Sequence, residues 1–193
     1  MISRLLIIAA LLLTTACADD AHDWHAKSIS GLMPPLEFTL TDENGNTVTA
    51  EGFRGDIVLL FFGFTHCPDF CPTTLSKLSR ALADLGDART DVTVLFVSVD
   101  PKRDGPEALR RYTSSFAPEI VGLTGTMDQL ESLAKRYRTT FSYGAPDDAG
   151  YYSVSHGLAV YVFDPGGKAR LMILNDAPVD EIASDLRTLA DRP

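Results

Sequence analysis

The sequence predicts an α/β fold in which a central mixed β-sheet is flanked by helices and preceded by an N-terminal β-hairpin. Three observations support this prediction. Apolar runs at 57–62 and 92–99, rich in β-branched and aromatic residues, are typical of buried strands. Between them, leucines recur every three or four positions from Leu75 to Leu85, which predicts an amphipathic helix. Two further apolar runs, joined by the turn sequence DPGGK at 164–168, predict a hairpin near the end of the chain.

Composition limits the classes of protein to which the chain can belong. Its 193 residues, 45% of them hydrophobic, suffice for one domain with a buried core. The net charge is −9, and the sequence contains no basic stripe, which argues against binding to nucleic acid. We therefore expect a soluble, monomeric domain with an acidic surface.

Residues 1–17 have the composition of an export signal. Arg4 precedes the apolar run Leu5 to Leu13, which small residues and Cys17 follow. The run is too short to favour a retained transmembrane anchor. Cys17 resembles the acylated cysteine of a bacterial lipobox and would anchor the protein to a membrane. In the alternative, an ordinary signal peptide is removed together with Cys17. Both interpretations place the domain in the bacterial cell envelope, on the periplasmic side.

The remaining chain divides into a flexible polar tether at 18–35 and a domain at 36–193. The predicted elements of this domain are, in order, a hairpin around the turn at 42–46, a strand at 57–62, a helix from about Pro72 to Leu85, a strand at 92–99, a helix ending near Phe116, a short strand at 120–123, a helix at 127–137, an irregular loop at 138–155, a hairpin at 158–174 and a helix at 178–189. This order is that of a thioredoxin-like fold.

Two cysteines follow the first buried strand. Cys67 and Cys71 are four positions apart, so at the start of a helix they lie on the same face. The partial positive charge of a helix N-terminus favours thiolate over thiol. Both sulfurs can therefore bind one soft metal ion, or they can join as a disulfide. A disulfide that closes so small a loop stabilises the fold little, so we expect the pair to serve chemistry.

Three sequence blocks together resemble the Sco/SenC family of thioredoxin-like copper-binding proteins, which are implicated in assembling the dinuclear copper centre of cytochrome c oxidase. The blocks are GFTHCPDFCPTTL at 63–75, SVDPKRDGPE at 98–107 and SHGLAVYVFDPGGK at 155–168. The resemblance extends over the chain from residue 31 onward.

The resemblance implies that Cys67 and Cys71 supply two sulfur ligands and His156 an imidazole ligand for one copper ion per chain, as Cu(I) and/or Cu(II). It also implies that Asp100 supports the site from nearby. In the alternative, Asp100 caps a helix or forms a surface ion pair with Arg103. His66 adjoins Cys67 and does not share its face, so we assign it a supporting or packing role.

The chain departs from the family pattern around these positions. Gly105 stands where the family often has threonine. Ser155 and Gly157 flank the histidine where aspartate and a hydroxyl residue are common. These departures imply that a neighbouring side chain that orients the imidazole is missing.

Thiolates select Cu(I), and imidazole suits both oxidation states of copper. Zinc also uses such ligand sets with water as a fourth ligand, so the ligand types alone allow either copper or zinc.

The function that the resemblance implies is a copper chaperone, not an enzyme, which delivers copper to the copper-receiving subunit of cytochrome c oxidase. Its implied partners are an upstream copper donor and a thiol reductant.

The alternative is a thiol–disulfide oxidoreductase that reduces cysteines of the oxidase subunit or of another periplasmic protein, or a thiol peroxidase on the same fold. Three residues separate Cys67 from Cys71, whereas the thioredoxin motif has two, which weakens this interpretation. His156 discriminates between the two classes, because a metal site needs it and a dithiol reductase does not.

Overall fold

The computed structural model describes residues 22–191, except for the side chains of residues 89 and 90. The predicted export signal, Cys17 and the first residues of the predicted tether lie outside this range. Within residues 22–191, no helix is long and apolar enough to cross a membrane.

Ten strands and four α-helices are described between residues 22 and 191. The strands are β1 (Lys27–Ser28), β2 (Thr39–Asp42), β3 (Thr47–Thr49), β4 (Ile57–Gly63), β5 (Val92–Ser98), β6 (Ile120–Thr124), β7 (Phe141–Tyr143), β8 (Val154–His156), β9 (Val160–Phe163) and β10 (Ala169–Ile173). The helices are α1 (Phe70–Asp84), α2 (Pro106–Thr113), α3 (Met127–Arg136) and α4 (Val179–Ala190).

Eight of the strands form one mixed sheet in the order β1-β10-β9-β4-β5-β6-β2-β3. The central strands β4, β5 and β6 run parallel, and every other neighbouring pair in this sheet is antiparallel. Strands β7 and β8 form a separate two-stranded sheet. The predicted mixed sheet with flanking helices and an N-terminal hairpin is therefore confirmed.

Strand β4 separates the two halves of the core. All seven of its residues are buried, and successive side chains point to opposite faces of the sheet. Ile57, Leu59 and Phe61 join the core that contains the apolar faces of α1 and α4. Val58 and the alternate residues after it join the core that contains α3. Both faces of the sheet are thus covered, as expected for parallel strands.

The N-terminal segment is attached to the domain from His25 onward. The backbone N–H groups of His25 and Ala26 donate hydrogen bonds to the buried carboxylate of Asp185, at 3.1 and 2.7 Å. Strand β1 pairs with β10, and Ile29 is buried in the core. Residues 25–29, which belong to the predicted tether, are therefore attached to the domain.

The segment predicted as an irregular loop at 138–155 contains the hairpin of β7 and β8. The prediction of a loop is wrong here because each strand has only three residues, most of them exposed or half-buried, which leaves no alternation to detect. In this hairpin Phe141 lies opposite His156. The irregular part of the segment is therefore the hairpin's own turn, and His156 belongs to a strand.

Candidate metal centre

Cys67 and Cys71 lie where the central strand passes into the first helix. Strand β4 ends at Gly63, and Cys71 is the second residue of α1. The backbone N–H of Cys71 points at Sγ of Cys67, with 3.4 Å between the nitrogen and the sulfur. Cys71 is fully buried and Cys67 half-buried, and both are free thiols. The two sulfurs therefore differ in access from solvent, although they belong to one turn of the chain.

His156 reaches this dithiol from the end of β8. Its Nε2 atom lies 3.4 Å from Sγ of Cys71. One ligand atom from each of Cys67, Cys71 and His156 can be chosen so that all three lie within 4.8 Å of one another. Within residues 22–191, this is the one group of three His, Cys, Asp or Glu residues with metal-binding spacing. The structure thus brings together the three residues that the resemblance implied.

The imidazole of His156 is oriented by the backbone next to it. Nδ1 lies 2.9 Å from the carbonyl oxygen of Gly157, which can only accept a hydrogen bond. Nδ1 therefore carries the proton in the neutral ring, and the lone pair of Nε2 faces Cys71. The side chains of Phe61 and Phe64 enclose the ring edge-on, with centroid distances of 6.1 and 5.8 Å.

The departures from the family pattern implied that no neighbouring side chain orients the imidazole. In the structure the main-chain carbonyl of Gly157 orients it instead. A Cβ atom at Gly157 would lie 2.1 Å from Oγ1 of Thr139, so a larger residue at this position requires the Thr139 side chain to move. The carbonyl of Gly157 takes over the orienting role, as backbone carbonyls do for many metal-binding histidines.

Burial determines the protonation states of the two inner groups. Burial raises the pKa of the Cys71 thiol far above its usual value, against a smaller lowering by the backbone at Phe64. Burial also lowers the pKa of His156, and the hydrogen bond to Gly157 opposes this only in part. The prediction that the helix N-terminus favours thiolate is wrong for Cys71, because desolvation outweighs the helix dipole there. Both groups are therefore uncharged at neutral pH until a cation displaces the thiol proton.

Gly63 lets the sulfur approach the sheet. A Cβ atom at this position would lie 2.9 Å from Sγ of Cys71 and would collide with the buried ring of Phe96. A glycine at the end of β4 is therefore required for Cys71 and Phe96 to occupy the same corner of the core.

The loop before Cys67 is held by Asp104, which was not predicted from the sequence to be a site residue. Its buried carboxylate accepts hydrogen bonds from the backbone N–H and the hydroxyl of Thr65, at 2.7 and 2.6 Å, and from the hydroxyl of Ser98 at 2.6 Å. The only signal in the sequence was its place in the SVDPKRD block, four residues after Asp100. Asp104 therefore connects the end of β5 to the loop that carries the dithiol.

His66 lies outside the three-residue group. Its Nδ1 atom is 3.0 Å from Oγ1 of Thr65 and 3.5 Å from Oδ1 of Asp104, and half of its side chain is exposed. His66 therefore contacts the loop before Cys67, and its supporting role stays a prediction.

Asp100 does not face the sulfurs directly. Its buried carboxylate accepts hydrogen bonds from Nε of Arg103 and, at 2.7 Å, from the hydroxyl of Tyr152. Tyr152 lies in the turn that joins β7 to β8. Asp100 therefore contacts the hairpin that carries His156, and Tyr152 was not predicted from the sequence to belong to the site. Arg103 was predicted only as a surface partner of Asp100, whereas the pair is largely buried.

The fold and this site define a thioredoxin-like protein with a dithiol–imidazole group suited to a soft metal ion. The SCO1/SenC family model matches residues 34–191. The chain belongs to this family.

Relatives of known sequence support the assignment. The chain is 37% identical to the human mitochondrial SCO1 homolog over 153 residues, which is 78% of this chain and 51% of that protein. It is 43% identical to mitochondrial SCO2 of Saccharomyces cerevisiae over 135 residues, 68% of this chain and 44% of that protein. The chain thus spans about half the length of these relatives.

Solved structures agree with the fold. Copper-bound ScoI of Bradyrhizobium japonicum is 35% identical and superimposes with a TM-score of 0.74, covering 80% of this chain and 98% of that one. Apo Sco1 of Thermus thermophilus is 36% identical, with a TM-score of 0.77 and coverage of 88% and 99%. Copper-bound yeast Sco1 is 34% identical, with a TM-score of 0.74 and coverage of 80% and 88%.

Proposed function

We propose that this protein is a copper chaperone that binds one copper ion through Cys67, Cys71 and His156 and delivers it to the dinuclear copper centre of cytochrome c oxidase. The observation that carries this proposal is the grouping of two sulfurs and one imidazole nitrogen within 4.8 Å. The copper-bound structures of the Bradyrhizobium and yeast relatives support copper as the ion.

The chemistry of the three groups favours copper over zinc. Two sulfurs and one imidazole suit Cu(I), a soft ion. A structural zinc site needs a fourth protein ligand, and within residues 22–191 no further His, Cys, Asp or Glu joins the group. The buried position of Cys71 also favours a cation, because the ion supplies the positive charge that stabilises its thiolate.

Delivery needs a ligand that a recipient can reach. Cys67 is half-buried, whereas Cys71 is fully buried and His156 lies between aromatic rings. Phe70, which lies between the two cysteines in the sequence, is 45% exposed, so the same turn offers an accessible apolar side chain to a recipient. We therefore expect a recipient to exchange ligands first at Cys67.

The proposed cellular setting rests on the thiol chemistry of the site and on the export-signal composition of residues 1–17. Loading requires both thiols to be reduced, so outside the cytoplasm the protein needs a thiol reductant as well as a copper donor. We place the protein on the periplasmic side of the bacterial envelope as a monomer held to the membrane by a lipid on Cys17. The copper-receiving oxidase subunit is its partner.

A copper titration tests the ligand set. The reduced protein should bind one Cu(I) ion in competition with a chromogenic chelator, and Cys67→Ala, Cys71→Ala and His156→Ala should each weaken binding at least tenfold, about 1.4 kcal/mol. His25→Ala is the control, because it removes an exposed imidazole that lies outside the group. A His156→Ala protein that binds copper like the parent would show that the proposed site is wrong.

A second function, thiol–disulfide exchange, has one observation in its favour: Cys67 is an accessible free thiol with a second free thiol one helical turn away. Cys67 would attack a substrate disulfide and release one thiol. Cys71 would then attack the mixed disulfide, release the second thiol and leave both cysteines oxidised. The raised pKa of Cys71 opposes the second step, because the thiolate is the attacking species.

Deletion of the gene separates the two functions. Copper delivery predicts a loss of cytochrome c oxidase activity that added copper partly restores. Normal oxidase activity together with loss of disulfide reduction in the envelope would support an oxidoreductase that acts on another periplasmic protein instead.

A further inference from the structure

We propose that Asp100, Arg103 and Tyr152 form a clamp that holds the β7–β8 hairpin against the domain and thereby determines how long His156 stays bound to the metal ion. The role in metal release rests on the function proposed above. The clamp itself rests on contacts between three side chains that come from two distant parts of the sequence.

Each member of the clamp contacts the other two. Nε of Arg103 donates a hydrogen bond to Oδ2 of Asp100, and the hydroxyl of Tyr152 donates one to Oδ1 at 2.7 Å. Nη1 of Arg103 donates to the backbone carbonyl of Tyr152 at 3.1 Å. The guanidinium carbon of Arg103 also lies 3.9 Å from the centroid of the Tyr152 ring. Loss of one contact therefore weakens the other contacts as well.

The clamp is anchored to the central sheet. The backbone N–H of Asp100 donates to the hydroxyl of Ser98, the last residue of β5, at 3.1 Å. Asp100 is fully buried, and only 17% of the Arg103 side chain is exposed. Hydrogen bonds between charged groups in such a dry environment are stronger than those on the surface. Asp100 and Arg103 thus form the fixed side of the clamp, and Tyr152 is its movable side.

A second tyrosine secures the other strand of the hairpin. The hydroxyl of Tyr143, in β7, donates a hydrogen bond to the carbonyl oxygen of Val99, the residue before Asp100. The rings of Tyr143 and Tyr152 pack edge to face with 5.9 Å between their centroids. Both sides of the hairpin are therefore held by two consecutive residues, Val99 and Asp100, that directly follow β5.

The hairpin needs such a clamp because it is not part of the main sheet. Strands β7 and β8 hydrogen-bond as a separate two-stranded sheet, and an isolated hairpin of this size is marginally stable. Apolar contacts of Phe141 and Val154 with the core also attach the hairpin. Because such contacts are non-directional, the hydrogen bonds of the clamp add the directional restraint. The clamp holds Tyr152, four residues before His156, and so positions Nε2 beside Cys71.

Tyr152→Phe tests the clamp with the smallest change, because it removes one hydroxyl and keeps the ring. Tyr151→Phe is the matched control, since it removes a hydroxyl from the adjacent and more exposed tyrosine. In the reduced protein without added copper, amide hydrogen exchange of residues 141–143 and 154–156 should become about tenfold faster in Tyr152→Phe, as expected for the loss of a hydrogen bond to a charged group. Exchange in β4 and β5 should not change. Equal exchange rates in the two variants would overturn the clamp.

The same variants test the role in release. With copper loaded, transfer of Cu(I) to a chelator should be about tenfold faster from Tyr152→Phe than from Tyr151→Phe. In a His156→Ala background the Tyr152→Phe change should have no further effect, because the clamp acts through His156. Faster exchange with an unchanged release rate, or an equal acceleration in the His156→Ala background, would overturn this role.

Arg103→Lys provides a second test. Lysine keeps the positive charge but cannot bind the Asp100 carboxylate and the Tyr152 carbonyl with one planar group. We expect its hairpin exchange to resemble that of Tyr152→Phe, and exchange like that of the parent would contradict the clamp. Because hydrogen exchange needs no copper, the clamp can be tested even if the copper function fails.

Discussion

Nε2 of His156 lies 3.4 Å from Sγ of Cys71, although 85 residues separate them along the chain. The carbonyl of Gly157 holds the proton on Nδ1, so the atom that faces the sulfur has a free lone pair. The helix and the hairpin therefore present an acceptor nitrogen and a thiol to the same point, and an arriving ion needs to displace protons from sulfur only.

The two cysteines should react with alkylating agents at different rates. Cys67 is half-buried, whereas Cys71 is fully buried and its pKa is raised by burial, so little of it is thiolate at neutral pH. We expect iodoacetamide to modify Cys67 at least tenfold faster than Cys71. Mass spectrometry of digested samples over time measures both rates, and Cys67→Ala gives the rate for Cys71 alone. Faster labelling of Cys71 would contradict this account of the site.

Stability should depend on pH through His156. Burial lowers its pKa below the ordinary value of 6.5, so the folded chain binds fewer protons there than the unfolded chain. The free energy of unfolding should therefore fall as the pH drops below about 6.5 and should not change through this group above it.

Urea denaturation at pH 7 and pH 5 measures this contribution. His156→Gln cannot titrate in this range, so it should lose less stability than the parent between the two pH values. An identical loss in both proteins would show that His156 does not contribute to the pH dependence.

Gly63→Ala should destabilise both the fold and the site. The added methyl group would lie 2.9 Å from Sγ of Cys71 and would displace the buried Phe96 ring. Overpacking of this kind costs about 1–3 kcal/mol. Thermal unfolding and copper titration measure the two effects. Gly52→Ala is the control, because a Cβ atom there meets nothing within 4 Å. The close approach at Gly63 would be disproved by equal effects of the two substitutions.

Asp185→Ala should release the N-terminal segment. The Asp185 carboxylate accepts the backbone N–H groups of His25 and Ala26, so its loss leaves two donors without this partner. We expect a loss of about 1–3 kcal/mol in unfolding free energy and earlier proteolysis before residue 29. Asp176→Ala, on an exposed carboxylate, is the control. Unchanged proteolysis in Asp185→Ala would show that β1 pairing alone holds the segment.

Most of the fold could be predicted from local patterns. The apolar run of β4, the leucine face of α1 and the DPGGK turn each have a strong period or a characteristic turn sequence. These elements lie within one or two residues of their predicted positions. Strand β1 could not be predicted, because a two-residue strand has no period and depends on its partner β10.

The residues of the site likewise fall into those that could be predicted from local patterns and those that could not. Cys67 and Cys71 could be located from their spacing and from the strand and helix on either side of them. The sequence indicated His156 only through the family resemblance, because a single histidine before a strand has no local signal. Tyr152 had no signal either, since its partner Asp100 lies 52 residues away and its hairpin is too short to be recognised. Arg103 lies only three residues from Asp100, but its contact with the carbonyl of Tyr152 could not be predicted for the same reason.

The sequence by itself determined the kinds of ligand atom, the place of the dithiol at the end of a buried strand and the order of the elements, because these depend on residue type and local period. Only the tertiary structure decided that Cys71 is a buried, protonated thiol, that Nε2 of His156 is the free nitrogen and that the hairpin is held by Asp100. Desolvation and hydrogen-bond geometry depend on which groups surround an atom, and those neighbours come from distant segments: Cys71 and His156, for example, are 85 residues apart.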